Sequence, residues 1–136
     1  MNRKMLAVVA GVISNDRGEI LIAKRPANKS HSGLWEFPGG KRELGEAAVQ
    51  TLRRELMEEV GIEVCSAVPL VSRFYEYNDY DVDLQAWVVE AFNCRPQPCE
   101  GQELRWVAVD ELGAYTMPEA NEFVITALLS RQDAVA

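Results

Sequence analysis

The chain has one histidine and three cysteines, Cys65, Cys94 and Cys99, an odd number with no CxxC spacing. That leaves no ligand set for a tetrahedral zinc, and thiols in a reducing cytosol are the expectation. His31 has no serine and acid near it that suggest a nucleophilic triad. Basic charge is scarce: 14 Lys and Arg stand against 21 Asp and Glu, a net charge of −7. This balance excludes a general binder of nucleic-acid backbone, which needs a basic surface. No apolar run approaches the roughly 20 residues of a membrane-spanning helix, so no membrane role is expected. Repeats, low-complexity tracts and long linkers are also missing, and 136 residues, 48% of them hydrophobic, suit a single domain over 1–136 with a sizeable core.

The basic, then apolar start, MNRKMLAVVAGVI, raises the question of a signal peptide. It runs directly into the turn Ser14-Asn15-Asp16-Arg17-Gly18 and then into Ile20-Leu21-Ile22, which predicts a β-hairpin of the fold and a cytoplasmic protein. The strands of that hairpin are expected at Leu6 to Ile13 and Glu19 to Lys24. A polar loop covers 26–34, and Trp35 to Phe37 is a short extended piece. A helix is predicted over 46–60. Val64 to Tyr77 and Val82 to Phe92 form a long hairpin across Asn78-Asp79, residues that favour turns. Val82, Leu84, Ala86 and Val88 alternate with more polar residues, as a half-buried strand requires. After a loop at 93–101 come a strand from Leu104 to Val109, a helical turn at Asp110-Glu111-Leu112, and a last helix from Glu119 to Ser130 with Phe123, Ile125, Ala127 and Leu128 as its apolar positions. Strands mixed with two main helices predict an α/β layered domain.

The densest information lies in GKRELGEAAVQTLRRELMEEVGI, residues 40–62. Glu55, Glu58 and Glu59 stand at i, i+3 and i+4 and share one face of a helical turn. Like charges at this spacing destabilise a helix unless water or a cation offsets them. Val49, Leu52, Leu56 and Val60 form an apolar stripe beside them, which places the acids at the edge of a core. Gly61 suits a left-handed C-cap and Gly45 an N-cap. Ahead lies Phe37-Pro38-Gly39-Gly40, read as a tight turn whose glycines let backbone approach a ligand. Clustered carboxylates beside such a turn suit Mg²⁺, which takes oxygen ligands and shares its shell with substrate phosphates.

Gly40, Glu46, Arg54-Glu55-Leu56, Glu58-Glu59 and Gly61-Ile62 stand at the spacings of the Nudix box with no position missing, and the chain resembles the Nudix hydrolases of the MutT type. The resemblance is strong over the box and extends weakly over almost the whole chain. It implies an α/β/α sandwich with a mixed β-sheet between helices. It further implies that Glu55, Glu58, Glu59 and the carbonyl of Gly39 surround Mg²⁺, with Mn²⁺ as a substitute. Arg54 and Glu46 would orient the loop and the ligating carboxylates, while Glu43 is a solvated loop acid. Glu100, before Gly101-Gln102, matches the place from which a MutT-type glutamate reaches the metal and is a candidate general base. Asn121, in Pro118-Glu119-Ala120-Asn121, matches an asparagine of the enzymes that remove 8-oxo-dGTP, although Glu119 departs from the usual double proline.

On their own chemistry, Asn121 offers a donor and an acceptor to a purine edge, or caps a helix. Arg25, at the end of the second strand, can donate to a base carbonyl or a phosphate. Lys24 and Lys41 are weaker phosphate candidates, and Phe37 is placed with Arg25 and Asn121 in the substrate pocket. Tyr75, Tyr77, Tyr80, Trp87 and Trp106 could stack on a base, although aromatics on strands more often pack. The reaction expected is cleavage of a nucleoside triphosphate to the monophosphate and pyrophosphate, with an oxidised purine such as 8-oxo-dGTP favoured. CTP or another nucleotide is the enzymatic alternative. A non-catalytic nucleotide-binding module on the same fold is the rival from another class, and retention of every box carboxylate speaks against it. The protein is expected to be a monomer or small homo-oligomer.

Overall fold

A computed structural model of the chain describes residues 3–26 and 33–135. Its central strand is β1 (Lys4–Ile13). β1 pairs in parallel with β6 (Tyr80–Asn93) and antiparallel with β4 (Gly39–Lys41), and β5 (Glu63–Glu76) lies antiparallel on the far side of β6. The order β4-β1-β6-β5 makes a mixed sheet. A second, antiparallel sheet has the order β3-β2-β7, from β3 (Trp35–Glu36), β2 (Ile20–Lys24) and β7 (Glu103–Val107).

The expected hairpin of β1 and β2 does not form a ladder. A single antiparallel bridge, Ser14 to Ile20, joins them. Both edges of β1 are taken by β4 and β6, so β2 has no edge to pair with and enters the second sheet. Asn15 makes the bend: its side-chain oxygen accepts from the N–H groups of Arg17 and Glu19, each at 3.0 Å. The glycine turn also differs from expectation. Gly39 and Gly40 are extended and form β4, opposite Ala10 and Val9. The long hairpin of β5 and β6 stands as predicted.

Helix α1 (Ala48–Val60) starts two residues later than the pattern suggested. Gly45 is not its N-cap but part of the preceding turn, with φ +78°. Ala47 is the cap, and its N–H donates to Gln50 Oε1 at 2.7 Å, so the helix start is held from inside the first turn. Gly61 is the left-handed C-cap, φ +68°. Leu52, Leu56 and Val60 bury their side chains with Val9, Ile13, Val64 and Val89. Val49 is only half-buried.

The last helix is split. A 3₁₀ turn, Glu119–Asn121, precedes α2 (Glu122–Val135). Among the described side chains of α2, Val124 and Leu128 enter the core, with Ala10, Val12, Leu84 and Ala86, while Phe123, Ile125 and Ala127 are partly buried. Successive strand side chains point to opposite faces, so Val9 and Ile13 meet α1 where Ala10 and Val12 meet α2. The two helices therefore cover opposite faces of the mixed sheet, as the α/β/α reading required. Among the described residues no helix is long and apolar enough to cross a membrane. His31 and residues 27–32 of the polar loop lie outside the described residues.

Candidate active site

The C-terminal half of α1 faces β4 at very close range. A Cβ on Gly40 would lie 2.3 Å from the Glu55 carboxyl carbon, so only a glycine admits that carboxylate against the strand. One turn on, Glu59 accepts the Gly39 N–H at 2.8 Å. Burial pushes the Glu59 carboxyl up to about 8, the Gly39 N–H opposes this, and the charges of Glu36, Glu100 and Glu55 add to it. Glu55 is also raised, chiefly by burial, with Arg54 opposing and Glu58 and Glu100 adding.

Arg54 holds this wall in place. Its Nε and Nη2 donate to the two carboxylate oxygens of Glu46, at 2.8 and 2.9 Å, and its Nη1 donates to Glu55 Oε1 at 2.8 Å. Nη2 also donates to the Lys41 carbonyl at 3.1 Å. The planar fork thus ties the loop after β4 to the helix and fixes one oxygen of Glu55. Glu46 accepts further bonds from the Thr51 hydroxyl, 2.7 Å, and the Glu43 N–H, 3.1 Å. With the Arg54 guanidinium as the main cause, its carboxyl is held down at about 2. Glu43 itself is exposed, 3.8 Å from Arg54.

Glu100 reaches the same place from the loop before β7. The Cys99 N–H donates to the Glu59 carbonyl at 3.1 Å and the Gln97 N–H to the Val60 carbonyl at 2.9 Å, so the loop is anchored on the orphan carbonyls at the end of α1. Gln102 completes the anchor: its Nε2 donates to the Glu59 carbonyl and its Oε1 accepts the Glu100 N–H, both at 2.9 Å. Gln102 is buried, and nothing in a single sequence marks a loop glutamine as such.

A cavity of about 660 Å³ runs from this acidic wall to the tip of the β5–β6 hairpin. Glu55, Glu59, Glu100, Gly39 and Lys41 line it at one part, and Tyr77, Tyr80, Pro118, Ala120 and Asn121 at another, over an apolar floor that includes Phe37, Leu6, Val82 and Leu84. Glu58 lies outside the lining, 56% exposed and 3.7 Å from Arg54 Nη1. In this arrangement no three His, Cys, Asp or Glu side chains among the described residues are gathered closely enough to hold a metal ion.

Arg25 lines the cavity paired with Glu36, Nη1 to Oε2 2.8 Å. Glu36 was not singled out from the sequence. The alternation Trp35-Glu36-Phe37, buried on either side of it, was the available sign that position 36 faces the other way. Asn121 is half-buried, its Nδ2 3.4 Å from the Pro118 carbonyl. Tyr75 packs on Tyr77 and Phe123, and Trp87 and Trp106 pack against the α1 side of the core, so these three act as packing. Lys24 stands 5.9 Å over the Trp35 ring and is absent from the lining.

Residues 9–127 match the NUDIX domain. Over 125 residues the chain is 39% identical to the 8-oxo-dGTP diphosphatase of Escherichia coli (strain K12), covering 92% of this chain and 97% of that protein. The CTP pyrophosphohydrolase of the same organism is also 39% identical, over 93% of each chain. A solved MutT structure, from a comparison of the Aliivibrio salmonicida and Vibrio cholerae proteins, superposes with a TM-score of 0.80 at 39% identity, covering 94% of this chain and 99% of that one. The chain belongs to the Nudix family and is a Nudix hydrolase of the MutT type.

Proposed function

We propose that this enzyme is a divalent-metal-dependent pyrophosphohydrolase that splits a nucleoside triphosphate into the monophosphate and pyrophosphate, with an oxidised purine nucleotide such as 8-oxo-dGTP as favoured substrate. The observation that carries the reading is one cavity holding both Glu55, Glu59 and Glu100 and, apart from them, Asn121 among apolar and aromatic side chains. Acids alone repel a triphosphate, so the wall needs a cation to be useful.

The chemistry of the donor set suits such a cation. Its members are hard oxygen donors, and the clearance at Gly40 brings Glu55 against the strand. Burial raises Glu55 and Glu59, and neighbouring carboxylates add to the rise, which a bound cation would oppose. Glu55, Glu58, Glu59, Glu100 and the Gly39 carbonyl are the proposed ligands of Mg²⁺, or of Mn²⁺ in its place. When bound, the metal neutralises phosphate oxygens and lowers the barrier to attack by water. Arg54 keeps Glu55 oriented through its own pairing with Glu46. Glu100 takes the proton of the water that attacks the β-phosphorus. Phe37 and the apolar floor shield the base, Asn121 reads its edge, and Arg25, oriented by Glu36, donates to base or phosphate.

A second reading, CTP as substrate, is favoured by the equal identity to the CTP enzyme. Hydrolysis of normal and oxidised nucleotides with Mg²⁺ separates the two. In ¹⁸O-labelled water the label is expected in pyrophosphate. Label in the monophosphate would mean attack at the α-phosphorus and would sink the placement of metal and base.

A further inference from the structure

We infer that the hydroxyl of Tyr77 is a specificity-positioning group, which sets the base-reading Asn121 through the backbone amide of Ala120. This rests on the proposal that Asn121 reads the base. The Ala120 N–H donates to Tyr77 Oη at 2.9 Å across 43 residues of sequence. Ala120 is the middle residue of the 3₁₀ turn that ends at Asn121, and such a short turn has few bonds of its own. The Asn121 N–H donates to the Pro118 carbonyl, at 3.0 Å. Ala120 is buried in the core, and the tyrosine bond ties the turn to the hairpin tip.

Tyr77 is itself held on three sides. Its ring stacks on Tyr80, centroids 5.2 Å apart and 25° between planes, and tilts against Tyr75 at 4.7 Å. Its N–H closes the hairpin tip on the Tyr80 carbonyl at 2.8 Å. Arg3, from the start of the chain, donates to the Tyr77 carbonyl, to the Asn78 carbonyl at 3.2 Å, and to Asp81 at 2.9 Å. The hairpin tip is thus a braced arm whose phenol ends at the base-reading turn. A polar reader discriminates only as well as it is held, since a mobile amide can adapt to the wrong donor pattern.

The test is Tyr77→Phe, which keeps the ring and its packing and removes only the oxygen. The ratio of kcat/KM for 8-oxo-dGTP to that for dGTP is expected to fall about three- to tenfold, the size of one hydrogen bond, and mainly through KM. In Asn121→Ala the ratio should already be lost, and adding Tyr77→Phe should lower it no further. The ¹⁵N amide resonance of Ala120 should shift in Tyr77→Phe. An unchanged ratio in Tyr77→Phe, whatever happens to its melting temperature, overturns the inference, and so does a full additive effect on top of Asn121→Ala. Failure of the base-reading proposal is a different result: Asn121→Ala would then treat both nucleotides alike, or the unmodified enzyme would prefer CTP, and the inference would fall with it.

Discussion

Adjacent glycines of β4 face different obstacles, and they should respond differently to one methyl group. At Gly40 the obstacle is the flexible end of Glu55, 2.3 Å from an added Cβ. At Gly39 it is backbone, the Val9 carbonyl oxygen at 2.0 Å. Gly40→Ala is expected to fold, to melt within a few degrees of the parent, and to lose about tenfold or more in kcat because Glu55 is displaced. Gly39→Ala is expected to destabilise the fold itself. Equal melting temperatures for the two variants would contradict this. Glu46 offers a second check through pH. Its carboxyl is held at about 2, against an ordinary 4.5, mainly by Arg54. A lowered folded-state value adds stability above pH 4.5 that is lost as the pH falls towards 2. The melting temperature of Glu46→Gln should therefore lie below that of the parent at neutral pH and converge with it between pH 4.5 and 2. Parallel curves would show that the pair does not stabilise the fold. The pairing of Arg54 with Glu46 is local, eight residues apart on one loop-helix unit, and the orienting role expected of the two came from the resemblance to the Nudix box. The pairing of Arg25 with Glu36 was not, since it depends on β2 and β3 lying side by side.

Elements came through where the signal is local. The period of α1 and its glycine stop are in the sequence, and so is the β5–β6 hairpin with its turn residues. Starts and partners are less visible. α1 begins at Ala48 because Gln50 satisfies the cap from within, a device without the polar or glycine residue that marks an ordinary N-cap. β4 is three residues long and glycine-rich, so it carries no strand signal of its own and exists because β1 offers a free edge. The seat of α1 on that strand is tight: a Cβ at Gly11 would meet Leu56 Cδ1 at 2.9 Å. Leu56 is fully buried there. Leu56→Ala should cost about 2–5 kcal/mol, read by urea denaturation, because the strand and helix cannot close the gap. The acids Glu55 and Glu59 lie on either side of Leu56 in the sequence, so activity should fall before unfolding is complete as urea is raised. A loss of under about 1 kcal/mol would mean that α1 is not docked as described.

At the scale of the molecule, β1 is shared by both halves of the core and pairs in parallel with β6, which begins more than 65 residues after it ends. Alternation along each strand revealed the buried faces, but no local pattern records which distant strand lies alongside, and the division into two sheets follows from that pairing. The charge of the whole is legible from composition alone, and it bears on how substrate arrives. At a net charge of −7 the protein repels a nucleotide that remains anionic with its metal bound. Lys4, Lys41 and Arg25 line the cavity, but Arg25 is paired with Glu36, and Glu55, Glu59 and Glu100 share the same walls. Attraction at the mouth is therefore small beside the repulsion from the rest of the surface. Raising ionic strength from about 0.01 to 0.15 M shortens the reach of that repulsion from about 30 to 8 Å. With free Mg²⁺ held constant, kcat/KM should rise over this range while kcat stays nearly level, because screening acts on encounter and not on a substrate already bound. A protein that captured its substrate through a basic surface would show the reverse. A steady fall in kcat/KM with salt would mean that the cavity lysines govern approach and that the net charge is irrelevant to it.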